Sequence, residues 1–186
     1  MLKTLVESFA VPDYGRTTRT DDAYTTADKI FIPMAEKLKV EYNAESSKPN
    51  PDLMALRFTR DYLDYTIRRY HGYCIEGRFG SHYVEDGVGK AFTDFEHLVP
   101  AARIRDMFLA DVLTIKQALN APTVFLSRIK HKALHTKGLG SNTPNIWLPF
   151  QRYSQHFPNT VFKTNDGKVI DPDSWTLQNH FDYFKI

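Results

Sequence analysis

The segment TVFLSRIKHKALHTKG, residues 123–138, contains a short β-type run that is followed directly by a helical pattern. The run TVFLS is rich in β-branched and aromatic residues, which predicts a strand. The remainder predicts an α-helix with Ser127 as its N-cap and Gly138 as its C-terminal stop. A strand that leads into a helix indicates a protein that mixes both kinds of element.

The N-terminal half of the chain is predicted to be mainly helical. Apolar residues recur at helical spacing over residues 25–41 and most clearly over residues 52–70. A third amphipathic stretch covers residues 102–120, with an interruption near Thr114. Residues 1–20 carry no clear period, and we expect an irregular arm there.

Two further β-type patterns complete the predicted fold. Residues 91–99, AFTDFEHLV, alternate as a β-strand does and end before a proline. Residues 160–170, TVFKTNDGKVI, hold an Asn-Asp-Gly turn and predict a C-terminal β-hairpin. The loop at residues 43–51 is short, so we interpret it as a connection inside one domain over residues 1–186. The sequence therefore predicts an α+β fold with a helical N-terminal half.

Length and composition restrict the class of protein. The chain has 186 residues, enough for one hydrophobic core, and its hydrophobic fraction of 42% fits a globular protein. Its formal net charge of +2 is lower than expected of a protein that coats nucleic acid. The single cysteine, Cys74, excludes an intramolecular disulfide and a multi-cysteine zinc site. Because we find no signal-peptide core and no apolar run of about 18 residues, we expect a cytoplasmic protein with no membrane partner.

The predicted helix after residue 127 carries two histidines, His131 and His135, four residues apart. This spacing places both imidazoles on one helix face, close enough to bind one metal ion. The same pair also fits a solvated helix face. Near the C-terminal end of a helix, moreover, a protonated histidine interacts well with the helix dipole.

The predicted strand over residues 91–99 ends in Glu96-His97. Adjacent residues of an ideal strand point to opposite faces, but at a strand end or bulge both side chains can reach one site. The simpler alternative is an ordinary strand end with a hydrogen-bonded histidine.

The order of these features resembles that of the HNH or ββα-metal (His-Me finger) nucleases. The features are a strand that ends in Glu96-His97, then Asn120, then a second strand, and last a helix with two histidines. Residues 124–135 are similar to the strand-to-helix segment of the colicin-type DNases, in which the closing helix likewise presents two histidines. The resemblance covers residues 91–138 and implies a ββα-metal-type core there.

The resemblance also implies a role for each matching residue. Glu96 matches the first metal ligand, with Asp94 as the alternative, and His131 and His135 match the ligands on the helix. A carboxylate and two imidazoles suit Zn, Ni or Mn, and Mg less well.

Two further roles are implied outside the ligand set. His97 matches the general base that takes a proton from the attacking water, and Asn120 matches the central asparagine that orients this base. The sequence departs from the family pattern between these two positions. A long helical stretch stands where compact members have a loop, and Asn120 lies about two residues further from His131 than is usual.

The chemistry is consistent with these residue types. Hydrolysis of a phosphodiester needs an activated water, for which a neutral histidine is suited, and a cation that neutralises charge on the phosphate. Basic side chains near the helix could contact flanking phosphates. These are Arg128, Lys130, Lys132 and, from the later segment, Arg152.

The sequence thus predicts a metal-dependent endonuclease, with DNA in preference to RNA as its substrate. A homodimer would fit an enzyme that cuts both strands. One alternative is a non-catalytic regulatory protein that binds nucleic acid or a protein through the arginines and tyrosines of residues 52–70. Another is a structural zinc site formed by the same histidines.

Overall fold

The computed structural model describes residues 21–76 and 80–186, with side chains from residue 25 onward. Within these ranges the chain forms seven α-helices and one mixed sheet of five strands. The predicted α+β class and the helical N-terminal half are therefore confirmed. The irregular arm predicted for residues 1–20 lies outside the described residues.

The elements are numbered here in chain order. The helices are α1 (Asp21–Ser46), α2 (Leu53–Tyr70), α3 (Ala101–Leu109), α4 (Ile115–Leu119), α5 (Arg128–Thr136), α6 (Gln151–His156) and α7 (Leu177–Phe184). The strands are β1 (Tyr83–Glu85), β2 (Thr93–His97), β3 (Thr123–Ser127), β4 (Phe162–Thr164) and β5 (Val169–Ile170). A π-helical turn, His71–Ile75, continues α2, and a 3-10 turn, Lys90–Phe92, precedes β2.

Helix α2 forms as its sequence predicts. The carboxylate of Asp52 caps it by accepting hydrogen bonds from the backbone N–H groups of Met54 and Ala55, at 2.8 and 3.2 Å. One stripe of the helix, which includes Leu63 and Ile67, is completely buried. The regular apolar spacing and the capping residue in the sequence thus correspond to a capped helix with one buried face.

Two helices differ from their predicted bounds. Helix α1 continues through Pro33 to Ser46, beyond the predicted end at residue 41, and packs along α2. The predicted helix over residues 102–120 is divided into α3 and α4. Asp111 adopts a left-handed φ of 60° between them, and Thr114 starts α4 with a capping box, close to the predicted interruption.

The sheet has the strand order β2-β3-β1-β4-β5. Strands β1 and β3 are parallel, and the other neighbours are antiparallel. The pair β4–β5 is the predicted C-terminal hairpin, whose turn uses Gly167 at a φ of 97°. In the pair β2–β3, Asp94 lies opposite Leu126 and Glu96 opposite Val124.

Each face of the sheet packs against its own hydrophobic cluster. Val124 and Leu126 belong to a cluster with Leu134 of α5. Phe95 packs against the second cluster, which is formed mainly by α1 to α4 and α7. Helix α5 therefore covers one face of β2 and β3, while the N-terminal helices lie on the other.

None of the helices in the described ranges combines the length and the apolar character that a membrane span requires.

Two fully buried histidines stabilise the helical side of the fold in their neutral form. His71 Nε2 lies 3.2 Å from the carbonyl oxygen of Ala118. His180 Nε2 lies 2.8 Å from the carbonyl of Asn120, and its Nδ1 lies 2.9 Å from the hydroxyl of Tyr83. Burial lowers the pKa of each imidazole to about 4, because a charged ring would lose its hydration.

These buried histidines predict a protein that loses stability in mild acid. Because their folded pKa lies below the unfolded value, their contribution is complete above about pH 6.5 and declines as the pH falls toward 4. Each should change the free energy of unfolding by up to about 1.4 kcal/mol per pH unit in that window. Urea unfolding between pH 7 and pH 4.5 measures this slope.

The variant His180→Gln should reduce the slope, because the amide can keep both hydrogen bonds but takes up no proton. Gln155→Ala, at an exposed position of α6, is the control and should leave the slope unchanged, because it removes no titratable group. An equal slope in the wild type and in His180→Gln would contradict the assignment.

Candidate metal centre

Helix α5 begins directly where β3 ends, so the strand fixes the position of the helix. Ser127 is the last residue of β3 and the N-cap of α5. Leu134 is completely buried against the sheet and holds the helix on its face. His131 and His135, one helical turn apart, then lie on the side of α5 that faces the edge strand β2.

The register of β2 brings a carboxylate to these histidines. Glu96 lies opposite Val124, and directly opposed residues of an antiparallel pair share a sheet face, here the face that α5 covers. Glu96 Oε2 consequently lies 3.1 Å from His131 Nε2. His131 Nε2 in turn lies 3.0 Å from His135 Nε2.

Glu96, His131 and His135 could hold a metal ion. Their three ligand atoms lie within 4.8 Å of one another, and no other such group of histidine, cysteine and carboxylate side chains occurs in the described part of the chain. Zinc bonds of about 2.0–2.2 Å in a tetrahedron place neighbouring ligand atoms about 3.3–3.5 Å apart. The separations of 3.0 Å between the two imidazole nitrogens and 3.1 Å between Glu96 and His131 are close to that requirement and are also hydrogen-bond distances, and the third pair lies within 4.8 Å.

The three side chains leave the cluster open on one side. The side chain of Glu96 is 12% exposed and that of His131 is 23% exposed, whereas His135 is an exposed residue. Three protein ligands with an open side are typical of a catalytic metal site, because water or substrate can take the remaining position.

Asp94 orients His131 from behind. Its Oδ2 lies 3.0 Å from His131 Nδ1, so that the opposite ring nitrogen, Nε2, faces the cluster. This is the carboxylate–histidine arrangement that fixes the tautomer of metal ligands in proteins. The hydrogen bond from His131, assisted by Arg128, holds the pKa of Asp94 below its usual range. Asp94 therefore supports a ligand, whereas the sequence suggested it as an alternative ligand.

Arg152 supports Glu96 in a similar way. Its side chain is completely buried, and its Nη2 donates to Glu96 Oε1 at 2.8 Å and to the carbonyl of His97 at 2.6 Å. The sequence predicted that Arg152 contacts phosphate. A guanidinium with no exposed surface cannot do so, and here it neutralises and fixes the carboxylate that faces the cluster.

Gly140 supports the third ligand by leaving space for it. A Cβ at this position would overlap Nδ1 and Cε1 of the His135 ring. The backbone after α5 therefore packs directly against the imidazole, and any larger residue at this position would require the ring to move.

His97, the predicted general base, does not lie at the cluster. It is opposite Thr123 in the β2–β3 register and points to the face away from α5. There its Nε2 lies 2.8 Å from His71 Nδ1, and burial holds the pKa of His97 well below its usual range. The structure thus separates His97 from Glu96, although the sequence placed both at one site.

Asn120 also lies elsewhere. Its side-chain amide donates to the carbonyl of Lys116 at 2.9 Å, and its own carbonyl accepts from His180 at 2.8 Å. It ends α4 and contacts α7. No hydrogen bond described for Asn120 reaches His97.

The three predicted phosphate ligands of α5 differ in availability. Lys130 Nζ binds Glu85 at 2.5 Å and Thr160 at 2.7 Å, so its charge is already used within the fold. Arg128 is 63% exposed and donates to Asp94 Oδ1 at 3.1 Å. Lys132 is exposed on the same side of α5 as His135.

Three of the four arginines of α2 are paired with carboxylates, and the fourth, Arg69, lies over the ring of Tyr65 at 6.0 Å. Arg68 bonds Asp64 at 2.6 Å, Arg60 bonds Asp106 at 3.1 Å, and Arg57 lies 3.9 Å from an oxygen of Asp61. Two of these pairs lie within α2 at i, i+4 spacing and one joins α2 to α3, so these three arginines balance charge within the fold.

No protein family, curated protein sequence or solved structure matches this chain. The assignment of a metal centre therefore depends on ligand geometry. Of the supporting residues, Asp94 could be found from sequence, since it lies two residues before Glu96 and shares its strand face. Arg152 and Gly140 gave no such signal.

Removing the carboxylate behind His131 should weaken metal binding without unfolding the protein. Asp94→Ala should reduce the affinity for Zn or Ni by about 10- to 100-fold, the usual effect of losing such a partner. Isothermal titration calorimetry measures this change. Asp86→Ala, which removes an ion pair with Lys163 of 2.9 Å, is the control. Equal affinities in the two variants would exclude the orienting role.

A methyl group at residue 140 should displace the His135 ring. Gly140→Ala should therefore reduce the metal affinity by about tenfold or more, comparable with other changes to groups that support a ligand. Gly89→Ala is the matched control, because its Cβ would make an ordinary contact of 3.7 Å with Phe92. If both variants bind metal as the wild type does, the proposed contact has no role in binding.

Proposed function

We propose that this protein is a metal-dependent hydrolase of phosphodiester bonds, an endonuclease with DNA as its most suitable substrate. The single observation that carries the proposal is the convergence of Glu96, His131 and His135, with Asp94 behind His131. Each ligand has its own support, and the open side of the cluster is exposed.

The order of elements supports a relationship to the His-Me finger nucleases. An antiparallel pair, β2 and β3, is followed by a helix with two histidines, which is the order of elements in a ββα-metal core. Two features depart from that pattern. The connection between the strands contains α3 and α4, and His97 points away from the ligands.

The donor set fits a divalent cation. When bound, such a cation would neutralise charge on a phosphate and lower the pKa of a coordinated water. Other side chains of the protein orient the groups that would bind the cation. Arg152 fixes the carboxylate of Glu96, and Asp94 fixes the ring of His131. One carboxylate and two imidazoles favour Zn, Ni or Mn over Mg.

Exposed cations beside the cluster suit an anionic substrate. Lys132 and Arg128 flank the ligands on α5, and they can contact phosphates on either side of the bond that breaks. Lys130 is not included in this role, because its side chain is only 25% exposed and is bound by Glu85, whereas Arg128 is 63% exposed in addition to its contact with Asp94.

Two alternatives make different predictions. A structural zinc site would have closed coordination and would unfold on chelation. The exposure of His135 favours an open site, from which chelation should remove activity but not the fold. A binding protein that uses α2 would bind nucleic acid equally well after Glu96 is changed.

Cleavage of supercoiled plasmid tests the proposal. The wild type should nick or linearise DNA with Zn, Ni or Mn and be inactive with chelator. Glu96→Gln and His131→Asn should lose activity by about 100-fold or more while keeping their circular dichroism spectra. His156→Asn is the control for loss of a histidine. Inactivity of the wild type on DNA and RNA with all metals would contradict the proposal.

The same assay tests the role predicted for His97. Because His97 faces away from the cluster, His97→Gln should keep activity within about tenfold of the wild type. A general base normally contributes about 10²- to 10⁴-fold. A loss of that size in a folded variant would instead assign His97 to catalysis.

A further inference from the structure

A groove lies between the loop that precedes β2 and the start of α5. Its volume is about 560 Å³, within the usual range for small-molecule sites, and its walls are formed by Val88, Phe92, Arg128 and Ile129 with neighbouring backbone. Phe92 is 70% exposed and Ile129 is 83% exposed. Two large apolar side chains are thus held in water within one concave surface, which is typical of a binding site.

The groove is connected to the metal centre by one carboxylate. Asp94 Oδ1 accepts from Arg128 Nε at 3.1 Å, and its Oδ2 lies 3.0 Å from His131 Nδ1. Arg128 also lines the groove. A ligand in the groove would therefore lie about one helical turn, roughly 5 Å along α5, from a metal ligand.

The charge beside the groove favours an anionic ligand with an apolar, planar part. Arg128 lines the groove and Lys132 lies about one turn further along α5, and both are exposed cations. The nearby carboxylates are already paired: Asp94 with Arg128 and His131, and Asp86 with Lys163 at 2.9 Å. A nucleotide has the matching chemistry, because its base can stack on Phe92 while its phosphate meets the cations.

We propose that this groove binds an unpaired base of a nucleic acid strand whose backbone lies across the Glu96–His131–His135 cluster. The inference rests on the proposed function. In a duplex the faces of a base are covered by its neighbours, so a groove that stacks one base requires a single strand or a displaced nucleotide. The protein consequently prefers single-stranded to duplex substrates.

Binding of a fluorescent oligonucleotide, measured by anisotropy with chelator present to prevent cleavage, tests the groove. The probes are a mixed-sequence single strand, its duplex, and the same strand with abasic sites. The wild type should bind the single strand more tightly than either of the others. Phe92→Ala should weaken binding of the intact strand by about 5- to 150-fold, the range of one lost stacking contact, and should remove the difference from the abasic strand.

Two variants serve as controls. Phe92→Tyr keeps an aromatic ring and should bind as the wild type does. Phe58→Ala removes a phenylalanine of similar exposure, 58%, from α2 and should have no effect. Equal binding of intact and abasic strands by the wild type would overturn the proposal, as would unchanged binding by Phe92→Ala.

Cleavage of the same strand at saturating concentration separates the two proposals. If metal-dependent cleavage requires Glu96 but Phe92→Ala binds normally, the groove proposal fails and the hydrolase stands. If Phe92→Ala weakens binding but no metal gives cleavage, the groove binds bases and the hydrolase fails.

Discussion

The antiparallel register between β2 and β3 determines which side chains of β2 face the two histidines of α5. Because Glu96 is paired with Val124, its carboxylate lies on the face that α5 covers, and the two histidines of α5 meet it there. A shift of the register by one residue would turn His97 to α5 and bury Glu96 among the N-terminal helices. Phe95 opposes such a shift, because it packs against the second hydrophobic cluster on the other face of the sheet and would be turned toward α5.

The cluster also depends on neutralisation of its negative charges. Two carboxylates, Glu96 and Asp94, lie within hydrogen-bond distance of one imidazole. Each carboxylate has its own arginine, Arg152 in the interior and Arg128 at the surface. The buried pair costs desolvation that its hydrogen bonds must offset, so it stabilises a particular geometry more than it stabilises the fold.

The local elements could be predicted from sequence and their relative orientation could not. Helix α5 and its histidine pair follow from spacing and capping over a few residues. That Glu96 and His97 face opposite ways also follows from strand geometry, but which of them faces α5 depends on where the helices pack. Arg152 lies 56 residues after Glu96, and no local pattern links them. The supporting roles of Arg152 and Gly140 are therefore the part of the site that the sequence does not predict, whereas Asp94 shares the strand face of Glu96.

The direct passage from β3 into α5 has a consequence for the affinity of the proposed centre for a metal ion. Since Ser127 belongs to both elements, no loop lets the helix pivot relative to the strand. The conformational entropy of bringing the two imidazoles to the carboxylate is therefore lost when the protein folds, and a cation at the proposed centre would meet side chains already in position. Such pre-organisation would strengthen metal binding, because little side-chain entropy remains to be lost when the cation binds. The side chain that would still have to adjust is the exposed ring of His135.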